Sequence, residues 1–189
     1  MHERVLRFLR RVRSFGPLSL APVLALLLCT LWAPVVSAQA LNDTAVKAGF
    51  VFNFIKFTQW PAAREGSPIR LCAPAAQPLD GQLVRLQGRN VGTRTIDVRT
   101  SVPAGEWRQC DVLFFGEEDT DRVYLLPSRL GPAPVLTLGD LPGFVDAGGM
   151  IGLRMEASRV RFDVNLSSAQ ASGLVLNSQM LKLAGKVLQ

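Results

Sequence analysis

The chain has 189 residues, 48% of them hydrophobic, and a formal net charge of +6 from 21 Lys and Arg against 15 Asp and Glu. That length suits one domain with a real core. Its single histidine is His2; if the N-terminus is removed, no Ser-His-Asp or Cys-His nucleophile can be assembled, and nearly every transition-metal site goes with them.

The N-terminus reads as an export signal. Arg4, Arg7, Arg10, Arg11 and Arg13 are followed by an apolar run from Leu18 to Val36, and Val36-Ser37-Ala38 places small residues before Gln39. Positive charge, then apolar sequence, then small residues is the secretory pattern. It predicts a signal peptide over 1–38, cleavage between Ala38 and Gln39, and a mature periplasmic domain over 39–189. The competing reading is an uncleaved anchor, because the apolar run is about long enough to span a bilayer. Pro22, Pro34 and the small residues before Gln39 favour cleavage. The leader holds five Arg and one Glu, so the mature chain keeps 16 basic and 14 acidic groups. It has no basic stripe with interleaved aromatics, and nucleic acid is not an expected partner. Cleavage also removes Cys29 and leaves Cys72 and Cys110. An even count in an oxidising compartment argues for a disulfide between them; two buried free thiols are the alternative.

Along the mature chain, Val46, Phe50, Phe54 and Phe57 recur at helical spacing, so 45–57 reads as a helix that Asn42 or Asp43 can cap. IRLCA at 69–73 is a short strand, and a helix over about 79–86 ends at Gly88. Residues 95–99 alternate, with Ile96 and Val98 inward. DVLFF at 111–115 suits a central strand buried on both faces. Residues 121–130 form a short helix interrupted near Pro127, and PVLTL at 134–138 is another buried strand. Ile151, Leu153 and Met155, then Val160, Phe162 and Val164, alternate with polar residues and predict an antiparallel hairpin at the sheet edge. Ser167, with Gln170 completing a capping box, opens a long C-terminal helix carrying Leu174, Leu181 and Leu188 on one face. The predicted fold is a single-domain α/β sandwich, with a largely parallel sheet, an antiparallel edge hairpin and helices on both faces.

Three features invite a sharper reading. Glu117, Glu118, Asp119 and Asp121 crowd the loop after DVLFF, where a cation or phosphate site would stand if they were not simply a solvated loop. Gly148-Gly149 lacks the spacing of a dinucleotide fingerprint and reads as a turn into a strand. Phe52 lies off the main helical stripe and either docks a partner or completes the core from behind.

The segments 46–61 (VKAGFVFNFIKFTQWP), 69–73 (IRLCA), 110–115 (CDVLFF), 134–140 (PVLTLGD), 148–153 (GGMIGL), 160–165 (VRFDVN) and 178–184 (SQMLKLA) resemble, in order, the pattern of the YfiR family. The resemblance covers essentially all of 45–185. It implies a small periplasmic protein that represses a membrane-bound diguanylate cyclase by binding its periplasmic sensor region, with an outer-membrane lipoprotein sequestering the repressor. Some members carry a second cysteine pair near the C-terminal hairpin; this chain has no cysteine in 144–153.

The expectation is therefore a regulatory binding protein, not an enzyme, with no catalytic residue, metal or cofactor. Its partner would be the periplasmic region of an inner-membrane diguanylate cyclase or sensor kinase, and a homodimer is compatible with the sequence. Phe52, Arg159 and Arg161 are the candidate contact residues, although the two arginines would also serve to solvate an edge strand. The alternative function is a periplasmic small-molecule binder feeding a sensor system, with its ligand in a crevice at the sheet's switch point.

Overall fold

Among the described residues, Val112–Phe115 is a stretch without exposed surface at any of its four positions, and two core layers meet on it. The computed structural model describes residues 36–61, 66–76, 79–157 and 159–189, and the side chains of these except 36–42 and 80. The chain divides into the units Met1–Ala38 and Gln39–Gln189. The predicted leader lies outside the described residues except at 36–38, and the fold is that of the second unit.

Helix α1 (Val36–Lys56) is followed by strands β1 (Thr58–Gln59) and β2 (Ile69–Ala73), helix α2 (Asp80–Leu83), and strands β3 (Asn90–Val91), β4 (Arg94–Thr100) and β5 (Val112–Phe115). Short helices α3 (Thr120–Val123) and α4 (Leu126–Leu130) lead to β6 (Leu136–Gly139), β7 (Ile151–Glu156) and β8 (Arg159–Asn165). The chain closes with α5 (Leu166–Ala171), β9 (Val175–Leu176), α6 (Ser178–Leu181) and β10 (Val187–Leu188). The main sheet has the order β10-β8-β7-β6-β5-β2-β4-β3, and β1 pairs with β9 in a separate two-stranded sheet. Strands β4, β2, β5, β6 and β7 run parallel, whereas β8 returns antiparallel to β7.

Alternation along β5 divides the core. Val112 and Phe114 face one layer, where α1 contributes Ala48, Val51, Phe54 and Ile55. Leu113 and Phe115 face the other, built from Trp107, Val123, Leu126, Leu130 and Phe144. A strand covered on both faces has no polar side to show, hence its unbroken apolar run. Burying a side chain such as Phe54 or Ile55 contributes roughly 1.5–3 kcal/mol, and both are essentially without exposed surface.

The observed elements correct several expectations. Helix α1 starts at Val36, so Asn42 and Asp43 lie inside it and not at its N-cap. Its deepest face is Ala48, Val51, Phe54 and Ile55, while Val46 and Phe57 are exposed. The hairpin is not the sheet edge, because β10 pairs with β8 at Val164 and Asn165. The single long C-terminal helix does not form. Asn165, not Ser167, caps α5 by accepting the Ser168 N–H at 3.0 Å, and the Ser167 hydroxyl bonds the same Asn165 oxygen. Gly173, at φ 72°, then ends the helical path. Left-handed backbone there cannot continue a helix, and Leu188 falls in β10.

A buried carboxylate clamps the amino ends of the central strands. Asp111 is 3% exposed. It accepts the Arg70 N–H at 2.9 Å and lies 3.5 Å from the Arg94 guanidinium, which also bonds the carbonyls of Ser67 and Pro68. Asp111→Ala is expected to destabilise the domain by about 2–3 kcal/mol, because it removes the acceptor of the part-buried Arg70 N–H and the carboxylate beside the half-buried Arg94 guanidinium. Asp111→Asn, which keeps an acceptor for Arg70, should cost less. Urea midpoints of both variants against the unsubstituted domain measure the effect, and an Asp111→Ala midpoint equal to that of the unsubstituted domain would show that the clamp carries no stability.

Candidate partner-binding surface

Two cysteines and one acidic loop are the chemically suggestive groups of the sequence, and the fold commits both cysteines and one residue of the loop to structure. Cys72 and Cys110 form a disulfide with a Cα–Cα distance of 6.1 Å. Asp119, in the acidic loop, is buried; it accepts the Gly116 N–H at 3.2 Å and pairs with Arg122 at 2.9 Å. The loop is thus not wholly solvated, and among the described residues no cluster of metal-ligating side chains forms. Gly148 takes φ 98°, the turn into β7 expected of it.

The carboxyl ends of the parallel strands carry the accessible polar groups. Asp140 follows β6 and pairs with Lys47 of α1 at 2.5 Å, both mostly buried. Glu117 follows β5. These residues, with the segment 141–146 and the β7 residues Gly152–Met155, line a cleft of about 440 Å3. On its far side Arg154 pairs with Glu156 and Asp163, each at 3.3 Å. The Lys47–Asp140 contact spans 93 positions, which hides it from a reading of local pattern.

Beyond the end of β6 the β7–β8 hairpin projects as an arm. Its register sets Arg154 opposite Arg161 and Glu156 opposite Arg159. Arg159 and Arg161 are exposed and share the face opposite Phe162 and Val164, which are buried. Like charges directly across a ladder repel, and Arg154 takes both nearby carboxylates. Phe52 does not join this surface. It is half-buried against the core layer under α1, and the Arg89 guanidinium stands 4.0 Å over its ring, beside β3 at the other end of the sheet. Phe52 thus turns toward Arg89, away from the side of α1 on which Phe50 and Phe54 meet Phe162 of β8. Tyr124, 76% exposed between α3 and α4, was not singled out from the sequence, where no periodic pattern marks it.

A second concavity lies beyond β2 and β4. Chain winding reverses between β2 and β5, since β2 leads to β4 on one side and β5 to β6 on the other. Pro74, Ser101, Trp107 and Arg122 line a crevice of about 520 Å3 there, and Ser101 holds a left-handed φ of 58°. Among the described residues no helix is long and apolar enough to cross a membrane.

The family model described as YfiR/HmsC-like matches residues 44–185. The chain belongs to the YfiR/HmsC-like family. The match spans every strand from β1 to β9, the disulfide and the cleft, and the family is a regulatory one. Among solved structures, the chain is similar to a conserved domain protein from Vibrio cholerae O1 biovar El Tor strain N16961, with a TM-score of 0.50, 9% identity, and coverage of 74% of this chain and 59% of that one. At that identity the likeness concerns the fold alone. It also overlaps an ABC domain solved with L-Trp from Streptococcus pneumonia, at a TM-score of 0.45, 11% identity, and coverage of 63% of this chain and 56% of that one. The chain spans less than two thirds of either protein.

Proposed function

We propose that this YfiR/HmsC-like chain is a periplasmic repressor that acts by contact. It would engage the periplasmic region of an inner-membrane diguanylate cyclase or sensor kinase and hold it inactive, keeping cyclic di-GMP low and restraining biofilm formation. Family membership over 44–185 carries this reading. The export signal at 1–38 and the Cys72–Cys110 bridge support the compartment. The absence of histidine from 39–189 supports contact over catalysis. An outer-membrane lipoprotein that sequesters the repressor is the counterpart the family implies.

A repressor of this kind must bind the inactive state of its target better than the active one, since equal affinity shifts nothing. Deleting the gene is therefore expected to raise cyclic di-GMP, and directing residues 39–189 to the periplasm should lower it again. An unchanged level after deletion, with no membrane partner recovered on the mature domain, would overturn the proposal. The switch-point crevice, with a strained Ser101 on its wall, favours the second reading, a small-molecule binder. A ligand-dependent rise in Tm with no effect of deletion on cyclic di-GMP would select it.

A further inference from the structure

The open edge of β7 faces a cleft, and its backbone geometry is set by the neighbouring strands. The Phe162 carbonyl accepts from Gly185 and the Val164 N–H donates to Lys186, so both residues turn their backbone groups outward toward β10. In an antiparallel ladder the residues opposite them must turn away from β8. Those are Leu153 and Ile151, and by alternation Met155 faces the same way. Ile151 and Gly152 still pair with β6, at Leu138 and Gly139. Past Gly139, β6 has ended. Among the described residues no strand covers β7 from Arg154 to Glu156 on that side, a stretch of roughly 10 Å. The cleft of about 440 Å3 occupies the place where the next strand would lie.

The charge of the cleft indicates what would fill it. Its carboxylates are Glu117, Asp140, Asp146 and Asp163, against Lys47 and Arg154. Both cations are already paired within the cleft, Lys47 with Asp140 and Arg154 with Asp163. Asp146 is matched from outside by Lys186 at 3.1 Å. Glu117 is exposed and makes no ion pair among the described residues. Leu153 and Met155 add an apolar flank, and Met155 is 39% exposed. We propose that the β7 edge binds one extended segment of a partner protein by strand addition, the segment alternating apolar residues with Lys or Arg. Main-chain bonds to the edge supply affinity in such complexes and alternate side chains supply selectivity. This inference rests on the reading of the protein as a partner-binding regulator and names the surface and the chemistry of contact.

The test uses residues 39–189 with their disulfide intact and an eight-residue probe peptide alternating valine and lysine, followed by fluorescence anisotropy. Met155→Pro removes an edge N–H that faces away from β8, so the hairpin ladder is untouched, and unchanged thermal unfolding verifies that. It is expected to weaken the probe about tenfold, the equivalent of a lost hydrogen bond. Met155→Ala, which keeps the N–H, should retain most of the affinity. Glu117→Gln is expected to cost about threefold, in keeping with an exposed ion pair. A valine–glutamate peptide, or the same probe with a central proline, should bind far more weakly. Equal binding by the Met155→Pro variant, equal binding of the acidic peptide, or no measurable binding of the probe would each overturn strand addition. None of these readouts depends on cyclic di-GMP, so their failure leaves the repressor reading to be judged by the deletion experiment.

Discussion

Replacing Gly149 by alanine is expected to destabilise the domain by about 3 kcal/mol, the upper part of the range for forcing atoms into a packed core. In a domain of this size that lowers Tm by roughly 6–12 °C. Phe144 is 1% exposed, and its ring is gripped between Gly139 and Gly149. A Cβ at Gly149 would overlap three ring carbons, the farthest of them, Cζ, at 2.6 Å. A Cβ at Gly139 would meet the ring similarly, with Cε2 at 2.7 Å. The ring has nowhere to retreat. Its backbone N–H bonds the Leu141 carbonyl, its carbonyl accepts from Gly149, and its outer side packs on Phe115 at 5.8 Å between centroids. Gly149 does not have positive φ, so the cost is one of space and not of backbone conformation. Adding Phe144→Leu should therefore recover part of the loss in a double-mutant cycle, by at least about 1 kcal/mol of coupling. A Gly149→Ala variant with the wild-type melting curve would mean that Phe144 does not occupy the slot.

That slot explains two of the sequence segments that single-residue reading could not. Gly139 in PVLTLGD and Gly149 in GGMIGL stand on either side of Phe144 in sequence, but no periodic pattern says that its ring lies between them. Alternation and burial, by contrast, are local, and where they ruled the fold was legible. Residues 69–73, 112–115 and the hairpin appear where their patterns put them. The C-terminal third failed for the same physical reason in reverse. Leu174, Leu181 and Leu188 do repeat at helical spacing, but Gly173 ends the helix before Leu174, strand β9 separates Leu174 from Leu181, and Gly185 lies between Leu181 and Leu188. Leu174 is buried in the core, Leu181 is only partly buried, and Leu188 ends in a strand. Spacing alone cannot distinguish one helix from three short elements that happen to share a period.

The candidate surface was legible only in part. Arg159 and Arg161 are exposed on the arm, as alternation required. Phe52 was an open question between core and surface, and its position under Arg89 combines both, with an apolar body half-buried and a cation over its exposed face. The cleft itself was out of reach of the sequence. It exists because β6 stops at Gly139 while β7 continues to Glu156, and a difference in length between neighbouring strands leaves no mark in either strand's own pattern.

Replacing Cys72 and Cys110 together by alanine is expected to lower stability by about 4 kcal/mol. The bridge closes a loop with a sequence separation of 38, and removing that constraint from the unfolded chain accounts for about that much in the chain-entropy model. The native side adds to the loss. Cys72 is 0% and Cys110 2% exposed, and both belong to the core layer around Trp107 and Phe115, so alanine leaves unfilled volume there. Both cysteines must be changed at once, because a single substitution leaves a buried thiol free to pair with another chain. The bridge joins β2 to the residue that precedes Asp111 and β5, and β2 and β5 are the strands between which the winding reverses. Losing it therefore loosens the centre of the sheet and not a peripheral loop. Urea unfolding of the oxidised protein, the reduced protein and the double variant should give one high midpoint and two low ones. The reduced form should lie somewhat above the alanine variant, since it keeps the sulfur atoms in the core. If all three midpoints coincide, the bridge adds nothing to the folded state, and the stability of this domain is independent of the redox state of its compartment.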